Sequence, residues 1–283
     1  MSATLAPANL APAILALAKA EFRIATRNRW LAIAAGLMVI FALILTAAGS
    51  GPSGSLGTDR LSVTVASLTS LSVYLVPLIA LLLSFDAVAG EAERGTLPLI
   101  LTYPIGRGPI LAGKALAHLA ILTLALIAGY GTAGVAAVLL DPTSGAGLGA
   151  LLRLIWTSVA LGATFLGLGY AISARAKRPS AAAGGAVGLW LLAVVLYDLA
   201  LLAAVVADNG GAFTTQVFPL TLLANPADAF RLFNLAAAQA GAAASGVAAA
   251  AGAVPLWQSA ASLLLWPALA GALALVSFRK VTP

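Results

Sequence analysis

Of 283 residues, 61% are hydrophobic and 8% charged, against about 45–50% and about 25% in a soluble domain. That excludes a compact soluble fold and a disordered chain alike, and leaves a multispan membrane protein with room for about six spans of about 20 residues. The absence of cysteine excludes disulfides, thiolate metal sites and a cysteine nucleophile, and the net charge of +6 points to lipid headgroups and topology rather than to nucleic acid.

The chain opens on a basic lead-in. Ile14, Ala18, Phe22 and Ala25 fall on one helical side, and Lys19, Arg23 and Arg27 on another. This predicts a cytoplasmic interfacial helix over residues 12–29; a lead-in that only fixes topology is the plainer reading. Span one is Trp30–Ala48, too long an apolar run for a cleaved signal peptide. Span two is Leu61–Asp86, interrupted by Pro77, and span three is Leu116–Leu140. Between them lies a hydrophilic stretch, 90–114. Span four is Leu151–Ser173, span five Ala181–Val206 and span six Pro255–Phe278, with a mixed outer segment over 207–254. The fold class is therefore all-α and polytopic, one transmembrane domain over 1–283.

Lys19, Arg23, Arg27, Arg29, Arg94, Arg107, Lys114, Arg175, Lys177, Arg178, Arg279 and Lys280 fall on one side of these spans, and only Arg60, Arg153 and Arg231 on the other. That bias places both termini in the cytoplasm, and in a bacterium the membrane is the inner one. Gly184 and Gly188 form a G-x-x-x-G pair in span five that permits close helix approach, although a chain this rich in alanine and glycine produces such pairs by chance.

Catalytic chemistry has few candidates. His118 is the single histidine, and a lone histidine is more often a packing residue than a ligand; no metal site is expected. Gly108 to Lys114 nearly matches a phosphate-binding loop, but Ala115 stands where a hydroxyl must hold magnesium. Any ATP and Mg²⁺ must therefore be bound by another chain. Two carboxylates lie within spans: Asp86 near the inner end of span two, and Asp198 in the outer half of span five. A carboxylate there must face the bundle or water. Asp198 reads equally as a substrate or gating contact and as a buried group satisfied by Arg153 or backbone.

The stretch after span two carries most information. Glu91, Glu93 and Arg94 end a charged helix, Gly95-Thr96 breaks it, Leu97 to Leu101 forms a short apolar helix with Leu99 at its centre, and Tyr103-Pro104 stops it before Arg107. A short apolar helix at a cytoplasmic surface suits a groove on another protein, with the flanking charges fixing register; lying on lipid is disfavoured by the acidic residues. In the outer segment, Asn225 can cap a helix, Pro226 fits its first position, Asp228 its first turn, and Asp228 and Arg231 are neighbours at i, i+3. Phe230, Leu232, Phe233 and Leu235 supply its apolar side. It reads as a docking platform for a periplasmic partner (Asn225, Pro226, Asp228, Arg231, Phe233), or as a re-entrant plug.

The E-x-E-R-G-T-L…P-x-x-R…G-K arrangement of residues 91–114 resembles the permease subunits of ABC-2 type transporters. Ser84-Phe-Asp86, Leu-Thr-Tyr103-Pro104-Ile-Gly106-Arg107, Tyr197-Asp198-Leu and Asn225-Pro226-Ala-Asp228…Arg231-Leu-Phe-Asn234-Leu are similar to the branch of that family serving copper-site maturation of nitrous oxide reductase. The resemblance implies a type V exporter-like architecture and a coupling helix gripped by a cytoplasmic ABC ATPase. It also implies a homodimer of the permease and a periplasmic copper-handling partner. Met38 and His118 are the only internal soft ligands, so a copper path through the spans is disfavoured. The chain then moves another cargo, or moves nothing and passes motion outward. A generic ABC-2 exporter of lipid, polysaccharide or drug is the alternative; a secondary carrier lacks the mid-membrane charges it needs.

Overall fold

The computed structural model describes residues 10–26, 29–48, 60–103, 105–236 and 254–281. They form α1 (Leu10–Ala25), α2 (Arg29–Ala48), α3 (Arg60–Ser84), α4 (Ala89–Glu93), α5 (Thr96–Thr102), α6 (Arg107–Leu140), α7 (Leu148–Arg175), α8 (Pro179–Trp190), α9 (Tyr197–Asp208), α10 (Phe218–Ala224), α11 (Pro226–Ala236) and α12 (Leu256–Arg279). Five helical stretches among the described residues are long and apolar enough to span a bilayer: those beginning at Arg60, Arg107, Leu148, Pro179 and Leu256. The 20-residue α2, apolar from Gly36 to Ala47, accounts for the remaining expected span.

The bundle is built around α7, which packs against α3 on one side and α12 on the other, with α6 alongside and α2 against α6 and α3. Several polar side chains inside it are satisfied within the bundle, as hydrocarbon favours. Thr46, Thr69, Ser84 and Ser277 each donate to the carbonyl four residues earlier, and Tyr130 bridges Ser72 and Ser158 between α3, α6 and α7. At Gly167 of α7, a Cβ would stand 2.8 Å from the Ala270 backbone of α12. Backbone cannot swing away as a side chain can. Gly167→Val is therefore expected to force the two central helices apart at a cost of about 1–3 kcal/mol, read as earlier thermal aggregation in detergent.

Three boundaries differ from the sequence reading. The interfacial helix begins at Leu10 and ends at Ala25; Arg29 already belongs to α2, and Arg27 and Pro104 lie outside the described residues. The stretch 90–114 is not one loop: α4, α5 and the start of α6 make most of it helical, and Pro109 falls in the first turn of α6, where a missing N–H leaves no helix bond unmade. Span five is one continuous helical path, α8 to α9, joined by a wide π-turn over Leu191–Leu196. Residues 237–253 of the outer segment lie outside the described residues.

Candidate functional site: a coupling segment and an outer lock

The coupling segment is pinned to the bundle on one side and exposed on the other. Ser173 of α7 accepts the backbone N–H groups of Val88 and Ala89, each at 3.0 Å, which satisfies the start of α4. Glu91 of α4 meets Lys114 of α6 at 2.6 Å. Burial pushes the Glu91 carboxyl above its ordinary range, and the Lys114 ammonium pulls it back. Gly95 then turns the chain in a left-handed conformation (φ 69°) that favours glycine, and Thr96 donates back to the Glu91 carbonyl.

In α5 the apolar residues divide. Leu97 is 1% exposed, while Leu99 is 65% and Tyr103 62% exposed. Ile100 and Leu101 pack against the core. Leu99 and Tyr103 are thus the apolar groups this helix offers outward; Leu97 and Leu101 anchor it. Arg94 pairs with Asp86 at 3.3 Å, both partly exposed, so Asp86 is an ion-paired group in the turn after α3 and is not buried in the bundle. Glu93 is exposed beside it. Arg107, expected on the docking face, instead donates to the carbonyls of Phe278 and Arg279. It closes the C-terminal end of α12, where unsatisfied carbonyls need a donor.

The near-match to a phosphate loop has a packing explanation. A Cβ on Gly113 would stand 2.8 Å from Leu17 Cβ and 3.2 Å from the Ile14 carbonyl oxygen, so Gly113 is where α1 crosses α6. Lys114, next along, reaches Glu21 of α1 at 3.1 Å. His118, one turn on, lies 3.5 Å from Glu21 through Nε2 and hydrogen bonds to the Tyr170 hydroxyl through Nδ1 at 2.7 Å. Met38 is buried at Gly129.

On the outer side, α11 forms as read: the Asn225 side chain accepts the N–H of Ala227, and the helix starts at Pro226. Its named residues face inward, however. Arg231 pairs with Asp198 of α9 at 2.7 Å and with Asp228 at 3.2 Å. Asp228 is 1% exposed, and burial together with the Asp198 carboxylate pushes it above the ordinary carboxylate range. Phe233 meets Trp156 edge-to-face at 5.4 Å. Asn234 bonds Thr157. The Asn225 amide donates to the Ala193 carbonyl at 2.6 Å, within the π-turn, and the Tyr197 hydroxyl donates to the Thr221 carbonyl.

So Asp198 has Arg231 as its partner, not Arg153 and not a free face. Asn225, Asp228, Arg231 and Phe233 present no free docking side chains. They fasten α11 to span five and α7. The sequence showed that these residues make an amphipathic helix, but which face of it the bundle takes is a tertiary fact.

The described geometry holds no nucleotide-binding device and offers one exposed apolar helix flanked by charge. The family model for ABC-2 family transporter proteins matches residues 15–282. The chain is 45% identical over 273 residues to the probable ABC transporter permease protein NosY of Pseudomonas aeruginosa, covering 95% of this chain and 98% of that one. It is 41% identical to the protein of the same name from Stutzerimonas stutzeri, covering 93% and 97%. A permease of this kind is a non-catalytic, multi-pass membrane component that works with an ABC ATPase. The chain belongs to the ABC-2 family of transporter proteins, as a permease subunit.

Proposed function

We propose that this chain is the inner-membrane subunit of an ATP-driven assembly for copper-site maturation of nitrous oxide reductase. A separate cytoplasmic ATPase (NosF-like) grips α5, and ATP and Mg²⁺ stay on that subunit. A periplasmic copper-handling protein (NosD-like) receives the motion outside, and both termini lie in the cytoplasm. The observation that carries the reading is the division of α5: a rigidly backed helix exposing Leu99 and Tyr103 beside Arg94 and Glu93. Such a helix suits a hydrophobic cleft with a charged rim. The shared name of two relatives over nearly the whole chain favours this branch over a generic exporter of lipid, polysaccharide or drug. The internal soft ligands do not favour copper passage. Met38 is packed at Gly129, and both His118 nitrogens are engaged. Transfer of motion, or of a different cargo, is the consistent role.

Co-expression with the candidate ATPase and periplasmic protein tests the assignment. Purification of all three as one complex supports it; an ATPase without a periplasmic protein returns the generic exporter.

The permease acts as a homodimer in this reading. Span five is the least covered of the five candidate spans, and a Cβ at Gly184 or Gly188 meets open space. Close approach of a second copy uses that open face. Gly184→Leu with Gly188→Leu is expected to abolish cross-linked dimer in native membranes without lowering expression; unchanged dimer yield contradicts the interface.

A further inference from the structure

The ion cluster at the inner face joins elements that serve different ends. Glu21 belongs to α1, Glu91 to α4 next to the coupling helix, and Lys114 and His118 to α6, while Tyr170 ties the cluster to α7. Its side chains are mostly buried, Lys114 at 6% exposure. Two carboxylates face one ammonium, and Oε2 of Glu91 is buried with no hydrogen-bond partner. A buried ion cluster with spare acceptors adds little to stability, since neutral groups of the same shape pack as well or better. Its geometry has another consequence. The segment backing α5 and the amphipathic helix α1 both terminate on a single nitrogen, Lys114 Nζ.

We propose that Lys114 is a positioning residue for force transfer. By holding Glu91 and Glu21 together, it makes the coupling segment, α1 and the inner end of α6 move as one body when α5 is displaced. The inference rests on the reading of α5 as the ATPase contact. Without the joint, displacement of α5 is absorbed largely in the turns on either side of it, at Gly95 and at Tyr103, and reaches α6 only through the weaker apolar packing of Leu97 and Leu101.

The test uses the permease–ATPase complex in nanodiscs. The chain has no cysteine, so one introduced by Leu220→Cys, at an outer position 62% exposed, reports the outer side. Its rate of reaction with a water-soluble maleimide is measured with and without ATP. The neutral near-isosteric variant Lys114→Met, Glu21→Gln, Glu91→Gln is compared with the unsubstituted cluster and with the swap Lys114→Glu, Glu91→Lys, which restores one ion pair. The expected result is an ATP-dependent change in labelling for the native cluster, its loss in the neutral variant with the ATPase still bound and hydrolysing, and its recovery in the swap. An ATP response that persists in the neutral variant overturns the proposal. So does no ATP response with the native cluster, or recovery of folding without recovery of response in the swap. Should the neutral variant shed the ATPase, the cluster belongs to the docking surface, and the force-transfer role is likewise overturned. Failure of the native permease to bind any ATPase sinks the functional reading itself, and is seen before ATP is added.

Discussion

Leu99→Asp is expected to release the ATPase from an intact permease. Leu99 is the most exposed apolar side chain of α5 and makes no core contact in the described structure, so an aspartate there meets only water in the isolated subunit. In the complex it would put a charge into a desolvated apolar pocket. Central interface positions of this kind are worth about 2 kcal/mol or more, about 30-fold in affinity. The measurement is ATPase retained on the immobilised permease, with melting of the permease as control. Leu101→Asp provides the contrast. Leu101 packs against the core, so the same substitution lowers the folded yield instead of selectively lowering ATPase affinity. If both variants fold and bind alike, α5 is not the contact.

Arg231→Met is expected to be the most destabilising single substitution on the outer side. It removes the cation that pairs with both Asp198 and Asp228, leaving two carboxylates facing each other. Breaking a buried pair by deleting one partner costs about 3–5 kcal/mol, and here the loss also removes the ion-pair tie between α11 and span five, leaving the Asn225 bond to Ala193. Heating in detergent should show an earlier transition, and limited proteolysis should cut between residues 209 and 225 first. Adding Asp198→Asn and Asp228→Asn to Arg231→Met is expected to recover most of the loss, because no uncompensated charge remains. Absence of recovery would mean that Arg231 acts chiefly by packing. Loss of a periplasmic partner in the single variant follows from the loosened helix, and by itself would not identify Arg231 as a contact.

The spans were legible because each is a long apolar run, and hydrocarbon leaves the backbone few options there. The α5 helix and the cap of α11 were also legible, since Gly95, Asn225 and Pro226 act locally. What stayed hidden was orientation and pairing across the fold. Nothing in the local pattern tells that Leu99 faces out and Leu101 in, in a helix of two turns. Asp198 and Arg231 are 33 residues apart, and Lys114 and Glu21 are 93 apart; such pairs are set by how helices cross. Arg107 illustrates the same point. Its charge suits a docking rim, yet the C-terminal carbonyls of α12 lie within reach and take it first. The phosphate-loop likeness at Gly108 to Lys114 fails on the missing hydroxyl, and the crossing of α1 at Gly113 explains why a glycine stands there.

The most direct measurement asks which side of the membrane Leu99 faces and what covers it. In the naturally cysteine-free chain, Leu99→Cys is labelled with a membrane-impermeant maleimide in sealed spheroplasts and in inverted vesicles. Labelling only in inverted vesicles, and protection there by added ATPase, is the expected outcome. Labelling from outside intact spheroplasts, or equal labelling of inverted vesicles with and without ATPase, contradicts a handle gripped from the cytoplasm.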